Sequence, residues 1–276
     1  MQKKAAVIND FTSFGRCSLA VTIPILSAMR VQCCPVPTAI FTNHTGYPSF
    51  AWTDYTAHMD DYIREWLKLD LAFDAIGTGF LGSAAQIDFV FRFLAAFRRK
   101  GTIVAIDPVM GDYGKLYSTY DRGLAESMRR FLAVADILTP NLTEASVLAG
   151  VDYDPEITDR GLEAIAAKLS RANGAKVAIT GIPRGEEELV NFVYVPGRAS
   201  EKIVEPKIGP DRSGTGDVFS AVVLADAVNG VDFAESVAKA SRFVAASVKR
   251  SVEMEIPVKD GLAIEETLGM LMKHEA

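Results

Sequence analysis

Cysteine and histidine are scarce in this chain, and so are excess positive charge and long apolar runs. There are three cysteines, two of them the adjacent Cys33 and Cys34, which is no disulfide framework. Cys17, Cys33 and Cys34 are expected to be reduced packing residues of a cytoplasmic protein. The three histidines, His44, His58 and His274, lack metal-ligand spacing, which argues against a zinc site. Lys and Arg number 29 against 35 Asp and Glu, a net charge of −6 that argues against a nucleic-acid partner. Backbone dipoles can still hold an anionic ligand locally. No apolar run approaches membrane-spanning length, and the run after the basic start is too short for a signal peptide. No membrane partner is expected. Low-complexity linkers, repeats and charge blocks are also missing, so residues 1–276 are read as one domain.

What is present fits a globular chain: 49% hydrophobic and 23% charged residues, long enough to bury a full core. Short apolar runs alternate with stretches of helical period. Strands are expected at 5–8, 36–41, 73–76, 103–106, 136–138 and 176–179. The 36–41 run is interrupted by Pro37 and so is placed at a sheet edge. Helices are expected at 18–30 (with a kink at Pro24), 53–69, 86–99, 125–134 and 161–172. A hairpin of 189–195 and 202–204 about Pro196-Gly197 follows, then helices at 216–228, 233–248 and 260–272. This alternation predicts an α/β protein whose mainly parallel sheet is covered on both faces. In such sheets ligands bind at the carboxyl ends of the strands.

The loop Gly77-Thr78-Gly79-Phe80-Leu81-Gly82 imitates a dinucleotide-binding fingerprint, with Asp107 at the end of the next strand. It lies well inside the chain rather than in the first βα turn, and a lone glycine pattern is weak. The stretch Arg212-Ser213-Gly214-Thr215-Gly216-Asp217 is more informative. A glycine turn enters an apolar helix whose first N–H groups have no internal partner and form an anion site. A carboxylate there repels phosphate, but it can take a proton from a hydroxyl attacking that phosphate. An ordinary helix start capped by Ser213 or Thr215 fits the same residues. Asp107, Asp112, Asn141 and Glu144 supply oxygen ligands of the kind Mg²⁺ takes. Thr139-Pro140-Asn141-x-x-Glu144 is also a capped helix start, and Asp112 is read first as solvated loop charge.

Four motifs in order, Phe41-Thr42-Asn43-His44-Thr45-Gly46-Tyr47, Asp107-Pro108-Val109-Met110-Gly111, Thr139-Pro140-Asn141-x-x-Glu144 and Gly214-Thr215-Gly216-Asp217, each follow an expected strand. Together they resemble the ribokinase-like superfamily, and the first resembles its pyridoxal kinases. The resemblance runs from Val7 to about Ala225. It implies a three-layer α/β/α sandwich that phosphorylates the 5′-hydroxymethyl group of B6 vitamers with ATP and Mg²⁺, with K⁺ as a candidate monovalent ion. Carried over by position, Asp217 is the base and Gly214, Thr215 and Gly216 the anion hole. Asn141, Glu144 and Asp107 attend Mg²⁺, mainly through water. Asp107, Asn141 and Thr180 meet the nucleotide phosphates. Asn9, Phe41, His44, Thr45 and Phe80 face the pyridine ring, with Asn9 where pyridoxal kinases often have Ser and Phe80 where relatives often have Tyr. Cys17 is placed near the pocket with no nucleophilic role. A homodimer is implied. A hydroxymethylpyrimidine kinase of the same superfamily and a non-catalytic vitamer-binding protein are the rivals. The first is disfavoured by a ring loop without methionine, the second by intact Asp217, Asn141 and Glu144.

Overall fold

The computed structural model describes residues 2–272; His274 lies outside the described residues. The elements run β1 (Lys4–Thr12), α1 (Ser18–Ala28), β2 (Gln32–Phe41), β3 (Trp52–Asp54), α2 (Thr56–Lys68), β4 (Ala75–Thr78), α3 (Ala84–Phe97) and β5 (Ile103–Ile106). A small hairpin of β6 (Gly111–Asp112) and β7 (Lys115–Leu116) follows, then α4 (Arg122–Ser127), β8 (Ile137–Leu138), α5 (Leu142–Ala149), α6 (Asp159–Ser170) and β9 (Lys176–Arg184). The chain closes with β10 (Glu188–Tyr194), β11 (Glu201–Pro206), α7 (Thr215–Asn229), α8 (Phe233–Glu253) and α9 (Ile264–Thr267).

Nine strands form one sheet in the order β11-β10-β9-β8-β5-β4-β1-β2-β3. The strands from β2 to β9 in that order are parallel. The antiparallel strands β10, β11 and β3 close the two ends. Alternate side chains of each strand feed opposite cores. In β1, Ala6 and Ile8 join a core with Met59 of α2, Phe89, Phe93 and Phe97 of α3 and Leu162 of α6. Ala5 and Val7 join the other, with Leu19 and Ile25 of α1, Val222 of α7 and Phe243 of α8. The expected three-layer α/β/α architecture is therefore borne out. Helix α7 is apolar or small around most of its circumference because it is buried between the sheet, α1 and α8. No described helix is long and apolar enough to cross a membrane.

Several boundaries move. The helix expected at 53–69 starts at Thr56, because Trp52–Asp54 pairs with Ala39–Phe41 as β3. That strand also takes β2 off the extreme edge, yet it leaves Pro35 and Pro37 without a partner on that side, where a missing N–H costs no ladder bond. The single helix expected at 260–272 is a four-residue α9 between 3₁₀ turns at Val258–Asp260 and Leu268–Leu271. Gly261, at φ 82°, separates the first turn from α9. The helix at 125–134 likewise divides into α4 and a 3₁₀ turn over Met128–Ala133.

Candidate active site

The carboxyl ends of β1, β2, β4, β5, β8 and β9 open onto a cavity of about 590 Å³. Phe41, His44, Thr45 and Phe80 line one part of it, and Gly214 to Asp217 line another. Asp107, Asn141, Glu144 and Thr180 lie along it as well. The strand-end motifs, from four separate loops, are thus brought together.

Gly214 precedes α7 at φ 87°. A Cβ there would stand 1.9 Å from the Arg16 carbonyl oxygen, so both backbone conformation and space require glycine. Gly216 differs: a Cβ on it would meet nothing within 4 Å, which leaves the start of α7 open on the ligand side. Asp217, third residue of α7, is half-buried, and burial raises its pKa while the Ser18 backbone and Asn9 hold it down.

Asn9 follows from strand parity. Two residues beyond Val7, it faces α7, and its Nδ2 donates to Asp217 Oδ1 at 3.1 Å. Its Oδ1 accepts from the amides of Asp10 (2.9 Å) and Phe80 (2.7 Å). Asn9 therefore stands behind the cavity wall, against Asp217, while Asp10 and Thr12 line the cavity. Asp10 accepts from Thr12 Oγ1 at 2.8 Å, and burial followed by the charge of Asp217 pushes its pKa up to about 6. The sequence signal for Asp10 is an acid at the end of the first strand, one residue beyond Asn9.

Phe41 is buried but forms an aromatic wall rather than an isolated core residue. It stacks on Trp52 (centroids 5.5 Å apart) and meets Phe80 edge-on at 6.0 Å. His44 Nε2 lies 2.6 Å from the Lys259 carbonyl, which makes Nε2 the donor and leaves Nδ1 to accept from the Gly46 amide at 3.1 Å. Tyr47 donates to Asp260 Oδ1 at 2.7 Å, and Arg16 Nη1 donates to the Asp260 carbonyl. Thr45 is exposed at the cavity. Cys17 lines the cavity too; burial, with Asp217 and Asp10 adding, pushes its thiol up to about 12, so it stays protonated and is no nucleophile.

Asn141 and Glu144 form a complete capping box at the start of α5. Glu144 accepts from the amides of Asn141 (2.9 Å) and Met110 (3.1 Å), and Asn141 Nδ2 donates to the Gly111 carbonyl at 2.7 Å. Asp107 accepts from Ser220 Oγ at 2.7 Å. Burial, then the charge of Asp217, pushes Asp107 up to about 7. Burial, then the charge of Asp107, holds Glu144 well above the usual carboxylate range. Among the described residues no group of three or more His, Cys, Asp or Glu converges as a direct metal cage. Thr180 sits at the end of the parallel run of β9, its amide bonded to the Pro140 carbonyl at 2.9 Å.

The dinucleotide-like glycines are explained by packing. A Cβ on Gly77 would stand 2.8 Å from Leu224 of α7, and one on Gly79 2.4 Å from the Asn9 carboxamide. These glycines seat α7 and Asn9. A second cavity, of about 190 Å³, adjoins the first through Thr180, Gly181, Thr215 and Gly216. Leu189, Phe219, Val244 and Val248 give it apolar walls.

A mainly parallel sheet between two helical layers, with an open helix start and a carboxylate at the strand ends, is the ribokinase-like arrangement. The family model for phosphomethylpyrimidine kinase matches residues 23–259, and the chain belongs to that family. The pyridoxal kinase of Arabidopsis thaliana is 32% identical over 199 residues, 69% of this chain and 63% of the plant protein. The chain thus spans less than two thirds of that relative's length. The pyridoxine kinase of Bacillus subtilis (strain 168) is 33% identical over 211 residues, 74% of this chain and 76% of the relative. A Bacteroides thetaiotaomicron VPI-5482 protein, provisionally described as a phosphomethylpyrimidine kinase, has been solved in an orthorhombic form with pyridoxal. It matches with a TM-score of 0.95 at 35% identity, covering 100% of this chain and 98% of its own.

Proposed function

We propose that the chain is an ATP-dependent kinase that phosphorylates the 5′-hydroxymethyl group of B6 vitamers. The observation that carries this reading is one cavity joining the Phe41–Phe80 walls to the open start of α7, with Asp217 at that helix start. A flat heteroaromatic ring suits such walls. The names of the plant and Bacillus relatives, and the pyridoxal in the Bacteroides crystal form, support the vitamer over other flat rings.

In this reading Asp217 takes the proton of the substrate hydroxyl, and Asn9 positions it from behind. The free amides of Gly214, Thr215 and Gly216 receive the transferring phosphoryl oxygens. Asp107, Asn141 and Thr180 meet the nucleotide phosphates, and the apolar second cavity takes the flat base. His44, Thr45, Phe41 and Phe80 hold the vitamer ring. Asp10 and Thr12 supply the polar edge that the sequence reading gave to Asn9.

The acids fit a hard divalent ion. Asp107 and Glu144 are buried carboxylates with no basic partner among the described residues; burial raises the pKa of both, and the charge of Asp107 raises that of Glu144 further. Both Glu144 oxygens already accept backbone amides, so Asp107, Asn141 and Glu144 would hold Mg²⁺ chiefly through its waters. The ion supplies charge compensation between these acids and the phosphates. The enzyme is read as one cytoplasmic domain acting as a homodimer; exposed Phe11 and Ile40, register partners in β1 and β2, support such pairing.

The family description names phosphomethylpyrimidine, and a Haemophilus influenzae relative is named a hydroxymethylpyrimidine/phosphomethylpyrimidine kinase, which gives hydroxymethylpyrimidine as a second substrate. The lining of the ring cavity contains no methionine, which supports the pyridine ring instead. An ATP-depletion assay across pyridoxal, pyridoxine, pyridoxamine, hydroxymethylpyrimidine and ribose decides between them. Catalytic efficiency should be highest with a B6 vitamer; a higher value with hydroxymethylpyrimidine moves the assignment to the rival.

A further inference from the structure

Arg212 immediately precedes the phosphate-binding turn and was not singled out by its sequence. It is only 7% exposed. Its Nη1 donates to the carbonyls of Pro257 (3.2 Å) and Gly261 (3.1 Å), and its Nη2 to the carbonyl of Ile256 (3.0 Å). Its buried Nε has no partner. Among the described residues no carboxylate pairs with it, although Asp107, Glu144, Asp10 and Asp217 all lie on the same cavity. Arg212 lines both cavities, and its own carbonyl accepts from Thr215 Oγ1 of the anion loop at 3.4 Å.

A buried guanidinium held only by neutral carbonyls has no counter-charge among its partners. Such a group is costly unless an anion compensates it. The nearest anion the site calls for is the nucleotide phosphate chain. Main-chain carbonyls converging on one point are also what a dehydrated K⁺ takes in place of water. Here those oxygens already accept N–H groups, so the cage does not fit a separate ion.

We propose that the Arg212 guanidinium is a tethered monovalent cation for the phosphate-binding loop, filling the carbonyl cage that K⁺ would otherwise occupy. The proposal deepens the kinase reading and rests on it for the identity of the anion. It replaces the expectation of K⁺ as a cofactor with ion-independence. Arg212 is a positioning residue: its charge acts on phosphate through the loop that follows it. A role as a mere tether for residues 256–261 predicts no response to ions.

The test compares wild type and Arg212→Met in choline, Na⁺ and K⁺ chlorides at equal ionic strength. Turnover of pyridoxal and melting temperature with ADP are both measured. Wild type should keep its rate within about twofold across the salts, since its cation is covalently attached. Arg212→Met should lose about tenfold or more in choline, with K⁺ restoring part of the rate and raising the melting temperature by occupying the vacated cage. Arg212→Gln, which keeps donors but not charge, replaces it if the Met variant does not fold. Two results overturn the proposal: stimulation of wild type by K⁺ of about tenfold or more over choline, or a folded uncharged variant blind to K⁺ in both rate and melting. The melting response needs no vitamer, so an inactive wild type would sink the substrate assignment and leave the cage testable.

Discussion

Replacing Asp217 by Asn separates proton transfer from folding and binding. Asp217 Oδ1 accepts from Asn9 Nδ2 at 3.1 Å, and the Asn amide oxygen can accept the same bond. Its NH₂ then takes the place of the other carboxylate oxygen. That loses the base and weakens the bond from the Ser18 backbone, but it also removes a charge that burial disfavours, so the fold should stay within about 1 kcal/mol of wild type. A negative charge beside the phosphates is removed as well, so ADP should bind equally or more tightly. General-base catalysis contributes about two to four orders of magnitude, hence kcat should fall at least about 100-fold, or about 2.7 kcal/mol of transition-state stabilisation. Steady-state kinetics with pyridoxal, thermal melting and ADP calorimetry on one preparation give all three readouts. Retention of more than about a tenth of wild-type kcat, with intact fold and binding, would remove Asp217 from proton transfer.

Glu144→Gln should raise the Mg²⁺ concentration for half-maximal rate, with little change in vitamer affinity measured without nucleotide. Unchanged Mg²⁺ dependence with weakened vitamer binding would assign Glu144 to the ring pocket or the fold. Gly214→Ala places a methyl group on the Arg16 carbonyl at positive φ. It should cost about 1–3 kcal/mol in urea denaturation and weaken ADP binding; wild-type values in both would refute the role given to that turn. Asp107 has its folded pKa raised to about 7 by burial first, so the stability it contributes is present below its unfolded value and is lost as pH rises toward 7. Asp107→Asn, which still accepts from Ser220, should therefore gain stability over wild type between pH 5 and pH 8 in metal-free melting. A gap that shrinks with pH reverses the sign and the argument.

The elements that carry the site were legible because each strand end announced itself with a glycine, proline or acid break, and the order of those breaks was distinctive. Side-chain direction was not. Asn9 and Asp10 are adjacent and by strand alternation face opposite sides of β1, but nothing in Val-Ile-Asn-Asp-Phe-Thr says which side the cavity takes. The glycines of the dinucleotide-like loop answer to Leu224 and Asn9, partners far away in sequence. Arg212 was unreadable for the same reason: its three carbonyls lie 44–49 positions further along, in the gap between the helices expected at 233–248 and 260–272 and at the start of the second. Asn141 and Glu144 were read as both cap and ion-holding residues; the cap is formed, and the second use shares its atoms.

The stretch 256–261 anchors both halves of the cavity. His44, Tyr47 and Arg16 attach to its residues 259 and 260, and Arg212 to residues 256, 257 and 261. In the proposed kinase, the clamp on the ring and the loop on the phosphates thus hang from six consecutive residues. A vitamer that shifts that peg alters the nucleotide's hold by a definite free energy, and the nucleotide returns the same amount to the vitamer. The two substrates of such an enzyme do not bind as strangers: affinity for either becomes a property of the pair.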